Sequence, residues 1–152
     1  MARPNDRVTD PFLYLVEDHR AILTIIDALA VGSERAVRAK EELLRDLDVA
    51  LSLHTEVEEQ VLYPALEEVD ATRSKTLESF AEHHVVKLTL QELLLMSTGT
   101  PEWTAKLTVL KDSLTRHIHE EEDNMFPPAR HALGETSVRE IGEKMQKFLK
   151  RD

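Results

Sequence analysis

The chain has no cysteine. That excludes disulfides, cysteine-ligated zinc, iron–sulfur clusters and thiol catalysis together. Helix breakers are also scarce, with four Gly and six Pro among 152 residues. No run alternates apolar with polar residues and no hairpin dipeptide occurs, which argues against a sheet. No stretch of about 18 apolar residues exists, so no membrane-spanning helix is expected. Positive charge is in the minority: 19 Lys and Arg face 29 Asp and Glu, for a net charge of −10. That balance suits neither nucleic acid nor an anionic membrane, and neither is expected as a partner. The opening Met-Ala-Arg-Pro-Asn-Asp-Arg has no apolar segment behind its charges and does not read as a signal peptide. A cytoplasmic location is the expectation. What the chain does carry is seven histidines.

Punctuation divides the sequence into helices. Asp10-Pro11 reads as an N-cap with Pro at the first helical position, and apolar residues then recur from Phe12 to Leu29 with a helical period. Gly32 stops this first helix and Ser33 can cap a second, which runs from about Glu34 to Tyr63, where Pro64 must kink or end it. The turn at Asp70–Ser74 leads into a third helix reaching about Ser97. Thr100-Pro101 opens a fourth, expected to end at Pro127-Pro128. A capping box, Ser137-x-x-Glu140, opens a short fifth. The expected fold is all-α: an up-down-up-down antiparallel four-helix bundle over residues 10–130, with the short C-terminal helix, 137–150, packed on it.

An internal repeat carries the chemistry. Residues 54–64 and 117–127 both read H-x-x-x-E-E-x-x-[LM]-[YF]-P, and Asp18-His19 and Glu82-His83 repeat more weakly upstream. The bundle therefore reads as two helical hairpins related by a pseudo-twofold, each supplying a His and then a His-x-x-x-Glu. Steps of three and four place His54 and Glu58 on the stripe of Leu47, Leu51 and Leu62. The same steps place His117 and Glu121 with Leu107, Leu110, Leu114 and Met125. An unpaired carboxylate in a core is costly. Two carboxylates and four imidazoles turned inward make sense around two cations, each with two His and bridged by both Glu. Imidazole and carboxylate without thiolate point to iron, with manganese or zinc as substitutes.

The doubled motif resembles the hemerythrin-like, or HHE cation-binding, family over about residues 10–130. The resemblance implies a non-haem di-iron centre with an oxo or hydroxo bridge, reacting with hydrogen peroxide, O2 or nitric oxide. By motif position it carries ligand roles onto His19, His54, Glu58, His83, His117 and Glu121. Oxygen-carrying hemerythrins are similar but have H-x-x-x-H on the third helix, where this chain has His83 and Lys87 or His84 and Leu88. Their fourth-helix carboxylate is an Asp at i+5, where this chain has Glu121 at i+4. These departures favour peroxide consumption, catalase-like, or nitric oxide reduction in an oxidative-stress setting over reversible O2 carriage. Sensing of O2 or iron, or iron storage without turnover, is the alternative. A ferritin-like site needs E-x-x-H, and Val16, Leu51, Phe80 and Leu114 stand where the Glu would be.

Other residues read less sharply. His84 competes with His83, since both fall on stripes containing Phe80, and His83 pairs better with His19 in the repeat. His119 and His131 read as solvated. Glu59 and Glu122 read either as solvated charges or as acceptors for ligand-histidine N–H groups. Tyr63 and Phe126 read as packing residues, with Tyr63 or Tyr14 as candidates to reach the metal, and Trp103 reads as a core anchor.

Overall fold

The computed structural model describes residues 7–31 and 37–151. Gly32 and Ser33, expected to end the first helix and cap the second, lie outside them. All regular structure among the described residues is helical. Helix α1 spans Pro11–Ala30 and starts as its sequence dictates: the Asp10 carboxylate accepts the Phe12 and Leu13 N–H groups at 3.0 and 3.2 Å, with Pro11 behind it. Helix α2 spans Val37–Val57 and passes through a π-helical turn, Glu58–Leu62, into α3, Tyr63–Glu67. Helix α4 spans Arg73–Leu95. Helix α5 spans Pro101–Glu120, capped by the Thr100 hydroxyl on the Trp103 N–H. A second π turn, Glu121–Met125, joins it to α6, Phe126–Leu149. Helices α1, α2, α4 and α5 each pack on two neighbours and close a ring, so the fold is a four-helix bundle.

The fourth bundle helix does not end at Pro127-Pro128. It runs on to a sharp break at Gly134, whose φ of 79° is the left-handed region that glycine tolerates. The π turns explain how the prolines are passed. Tyr63 N–H bonds the Glu58 carbonyl and Phe126 N–H bonds the Glu121 carbonyl, each one residue further back than in an α-helix. A turn widened by one residue already leaves a carbonyl without its usual partner. The missing N–H of Pro64 or Pro127, in the next position, then costs little more. Beyond Gly134, Val138, Ile141 and Met145 bury their side chains with Phe12, Leu15 and Leu66.

The interior has two apolar clusters. One, at the end away from the π turns, gathers Ile26, Leu47, Leu93, Leu110 and Trp103, which is the core anchor expected of it. The other lies beside the π turns and holds Phe12, Leu62, Tyr63, Met125 and Phe126. Buried polar residues lie along the same inward stripes: His19, His54, Glu58, His83, His117 and Glu121. Leu47 is fully buried in the first cluster. Leu47→Ala is expected to lower unfolding free energy by about 2–5 kcal/mol in denaturant titrations. Metal capacity should be unaltered, because the cavity opens away from the polar residues.

Candidate metal centre

Two donor groups form in the core. His19, His54, Glu58 and Glu121 make one, and Glu58, His83, His117 and Glu121 the other, with the donor atoms of each lying within 4.8 Å of one another. The two carboxylates are common to both. They come from the first residue of each π turn, one helical turn beyond His54 and His117. The histidines interlock across the pair: His19 Nε2 lies 3.1 Å from His54 Nε2, and His83 Nε2 lies 3.1 Å from His117 Nε2.

Outer carboxylates set which ring nitrogen faces inward. His54 Nδ1 is 2.8 Å from Asp18 Oδ2, His19 Nδ1 is 2.7 Å from Glu122 Oε2, and His117 Nδ1 bonds Glu82. A carboxylate only accepts, so each of these Nδ1 atoms donates its proton. When these imidazoles are neutral, their Nε2 lone pairs point into the cluster. They meet acceptors there: His54 Nε2 is 2.8 Å from Glu58 Oε1, and His117 Nε2 is 2.8 Å from Glu121 Oε1. Both Glu58 oxygens, Glu121 Oε1 and His83 Nδ1 are buried without a hydrogen-bond partner. Lone pairs facing lone pairs in a dry core are repulsive. A cation between them would convert that repulsion into coordination, so each donor group fits a metal ion.

Without a metal, protons must serve instead. Burial opposes charge on His117, but the Glu121 and Glu82 carboxylates beside it outweigh burial and push its pKa up to about 11. Burial alone would raise Glu58; the charge on His54, with Glu121 and His83 close by, holds it well below the ordinary carboxylate range. Tyr63 is driven well above its ordinary value by burial and by the Glu121 and Glu58 charges. Its phenol donates to Glu121 Oε2 at 2.9 Å and lies 3.2 Å from His83 Nε2.

All six residues proposed from sequence as ligands converge here. His83 is buried among them and His84 is exposed, as are His119 and His131. Tyr63 does more than pack, while Tyr14 sits half-buried at the edge of the second cluster. Glu122 is an acceptor for a histidine N–H. The residues that sequence reasoning passed over are Asp18 and Glu82. The available signal was their position: each immediately precedes a core His in the repeat, and each binds the histidine of the neighbouring helix.

A helical bundle with paired histidine–carboxylate clusters at its centre is a cation-binding bundle. Residues 10–129 match the family described as the Hemerythrin HHE cation binding domain, and the chain belongs to that family. A crystal structure of a Hemerythrin HHE cation binding domain-containing protein from Mycobacterium kansasii is similar at a TM-score of 0.76 and 26% identity, covering 93% of this chain and 85% of that one. A DNA nickase from Nostoc sp. is 30% identical over 83 residues; the match takes in 55% of this chain but 23% of that protein. Among the described residues, no helix is long and apolar enough to cross a membrane.

Proposed function

We propose that the protein is a non-haem di-iron protein that reacts with small oxidants: hydrogen peroxide, O2 or nitric oxide. His19 and His54 would hold one ion and His83 and His117 the other, with Glu58 and Glu121 within reach of both. The sharing of both buried carboxylates between the two donor groups supports this reading more than any other observation. Imidazole and carboxylate donors without thiolate suit iron. Bound iron would supply redox chemistry and open coordination positions for a small molecule. A cavity of about 10 Å³, the room of one water-sized molecule, adjoins all four histidines and is otherwise walled by Ile22, Leu51, Thr55, Val86, Leu114 and Ile118. Its mostly apolar wall would admit a small neutral molecule more readily than a charged one. The nickase's activity is not carried over, because most of that protein has no counterpart here.

Metal analysis should find two iron atoms per chain after anaerobic loading, and peroxide should evolve oxygen from the loaded protein. Repeated reversible oxygenation with no peroxide turnover would instead make it an O2 carrier or sensor. Iron accumulating beyond two per chain would make it a store.

Tyr63 is a buried phenol that donates directly to Glu121, one of the two shared carboxylates, and so stands ready as a proton donor beside the pair. Tyr63→Phe copies the residue at the pseudo-equivalent position, Phe126. It is expected to keep both ions and to lower peroxide turnover roughly 100-fold, the range of a lost proton donor. Metal content and initial rates measured on one preparation separate the two effects.

A further inference from the structure

The pseudo-twofold pairs His19 with His83, His54 with His117, Glu59 with Glu122 and Arg20 with His84. The halves are built alike, so places where they differ are informative. On one half Glu122 is locked. Its Oε2 takes the His19 Nδ1 proton at 2.7 Å while Arg20 grips the same carboxylate from outside, at 2.9 and 3.3 Å. On the other half the counterpart of Arg20 is the exposed His84, which makes no ion pair with Glu59. Glu59 Oε2 stands 3.9 Å from His83 Nδ1, and that buried nitrogen has no hydrogen-bond partner.

The walls differ in the same sense. A groove of about 590 Å³ between α2 and α4 reaches His83, passing Thr55, Glu59, His84 and Lys87. At the counterpart positions between α1 and α5, Ile118 replaces Thr55 and is 1% exposed, and the partly buried Leu23 replaces Lys87. The other flank of α4 is open as well. A groove of about 270 Å³ there reaches Glu121 past Ser79 and Glu120, where the first half has the buried Leu15 and Val57.

We infer that the two cation positions are kinetically inequivalent: the one between His83 and His117 exchanges its ion with solvent along α4, while the one between His19 and His54 is shut by the Arg20–Glu122 pair. The inference rests on the reading that the centre holds two ions. An ion leaves when a histidine swings off it. A histidine whose far nitrogen is clamped by a fixed carboxylate swings rarely, and outer partners of this kind are worth about 10–100-fold in metal retention.

Chelation kinetics test this. The chain is loaded anaerobically with two equivalents of Fe(II) and mixed with excess bipyridine, whose colour reports release. The expected result is two phases of equal amplitude, one ion leaving about 10–100-fold faster than the other. Arg20→Ala should accelerate the slow phase alone. His84→Arg, at an exposed position opposite Glu59, should rebuild the clamp and slow the fast phase alone. Release of both ions in one phase would overturn the inference, as would two phases that neither variant alters. Should Arg20→Ala fail to fold, the His84→Arg arm decides by itself. A wild-type chain that takes up fewer than two ions would instead overturn the two-ion reading, a result seen at loading, before any chelator is added.

Discussion

Glu58→Ala is expected to abolish retention of both metal ions, where loss of a terminal ligand would be expected to empty one position first. Glu58 belongs to both donor groups, is fully buried, and has neither oxygen satisfied by a hydrogen bond. On the two-ion reading, its removal would take an oxygen donor from each ion and the negative charge that lets two cations lie close together. Glu121→Ala should behave the same way. His54→Ala and His117→Ala should each release metal, while His119→Ala and His131→Ala, at exposed positions, should retain two ions. Metal content after gel filtration checks the set. The thermal midpoint follows content: ligand at a thousandfold over its dissociation constant contributes about 4 kcal/mol. For a chain of this size that is roughly 8–16 °C. Equal metal in all six variants would reject the assignment.

The second large effect is on how stability responds to pH once metal is stripped. His117 has a folded pKa of about 11. Because that lies above its unfolded value, near 6.5, the stability it contributes is complete below about 6.5 and is lost as pH rises towards 11. Glu58 is depressed on folding. Its contribution is present above the unfolded value, near 4.3, and is lost as pH falls through its lower folded value. The metal-free chain should therefore be most stable between about pH 4.3 and 6.5 and weaken on the alkaline side. With His117 as a ligand, as proposed, metal would replace its proton in the loaded chain and the alkaline loss should vanish. Thermal midpoints of both forms from pH 5 to 10 make the comparison; parallel curves would refute it. Loading at neutral pH should also release protons, roughly one per chain from His117.

The inward stripe was readable because helical periodicity and the doubled motif agree: Leu51, His54, Glu58 and Leu62 are all buried. The caps at Asp10 and Thr100 were readable because side chain, proline and spacing coincide. Less obvious was the widened turn after each His-x-x-x-Glu, although the sequence contains its trace. Inward residues 54, 58, 62 and 66 are spaced 4-4-4, as are 117, 121, 125 and 129, without the intervening three that an α-helix needs to stay in phase. One extra residue per turn restores the phase, and so the helix outlasts Pro127-Pro128. His83 and His84 could not be separated by pattern, since both abut apolar positions. Packing decides between them: His83 enters the ring of imidazoles and His84 faces out. Asp18 and Glu82 act across to neighbouring helices, and no single-helix period reports a partner on another helix.

The ring of outer carboxylates has a consequence for the charge of the ions it would enclose. Asp18, Glu59, Glu82 and Glu122 surround a core that already contains Glu58 and Glu121. Together they carry six formal negative charges around neutral imidazoles. With the Arg20 guanidinium on Glu122 the assembly carries five net negative charges; two divalent ions would leave one uncompensated, and two trivalent ions would exceed the count by one. Asp18, Glu58 and Glu121 are buried while Glu59 and Glu82 reach solvent, so the buried acids bear most on the charge of any ions between them. If the ions are iron, as proposed, that acidic surround would favour the more highly charged, oxidised state and make the reduced pair a ready electron donor to an arriving oxidant.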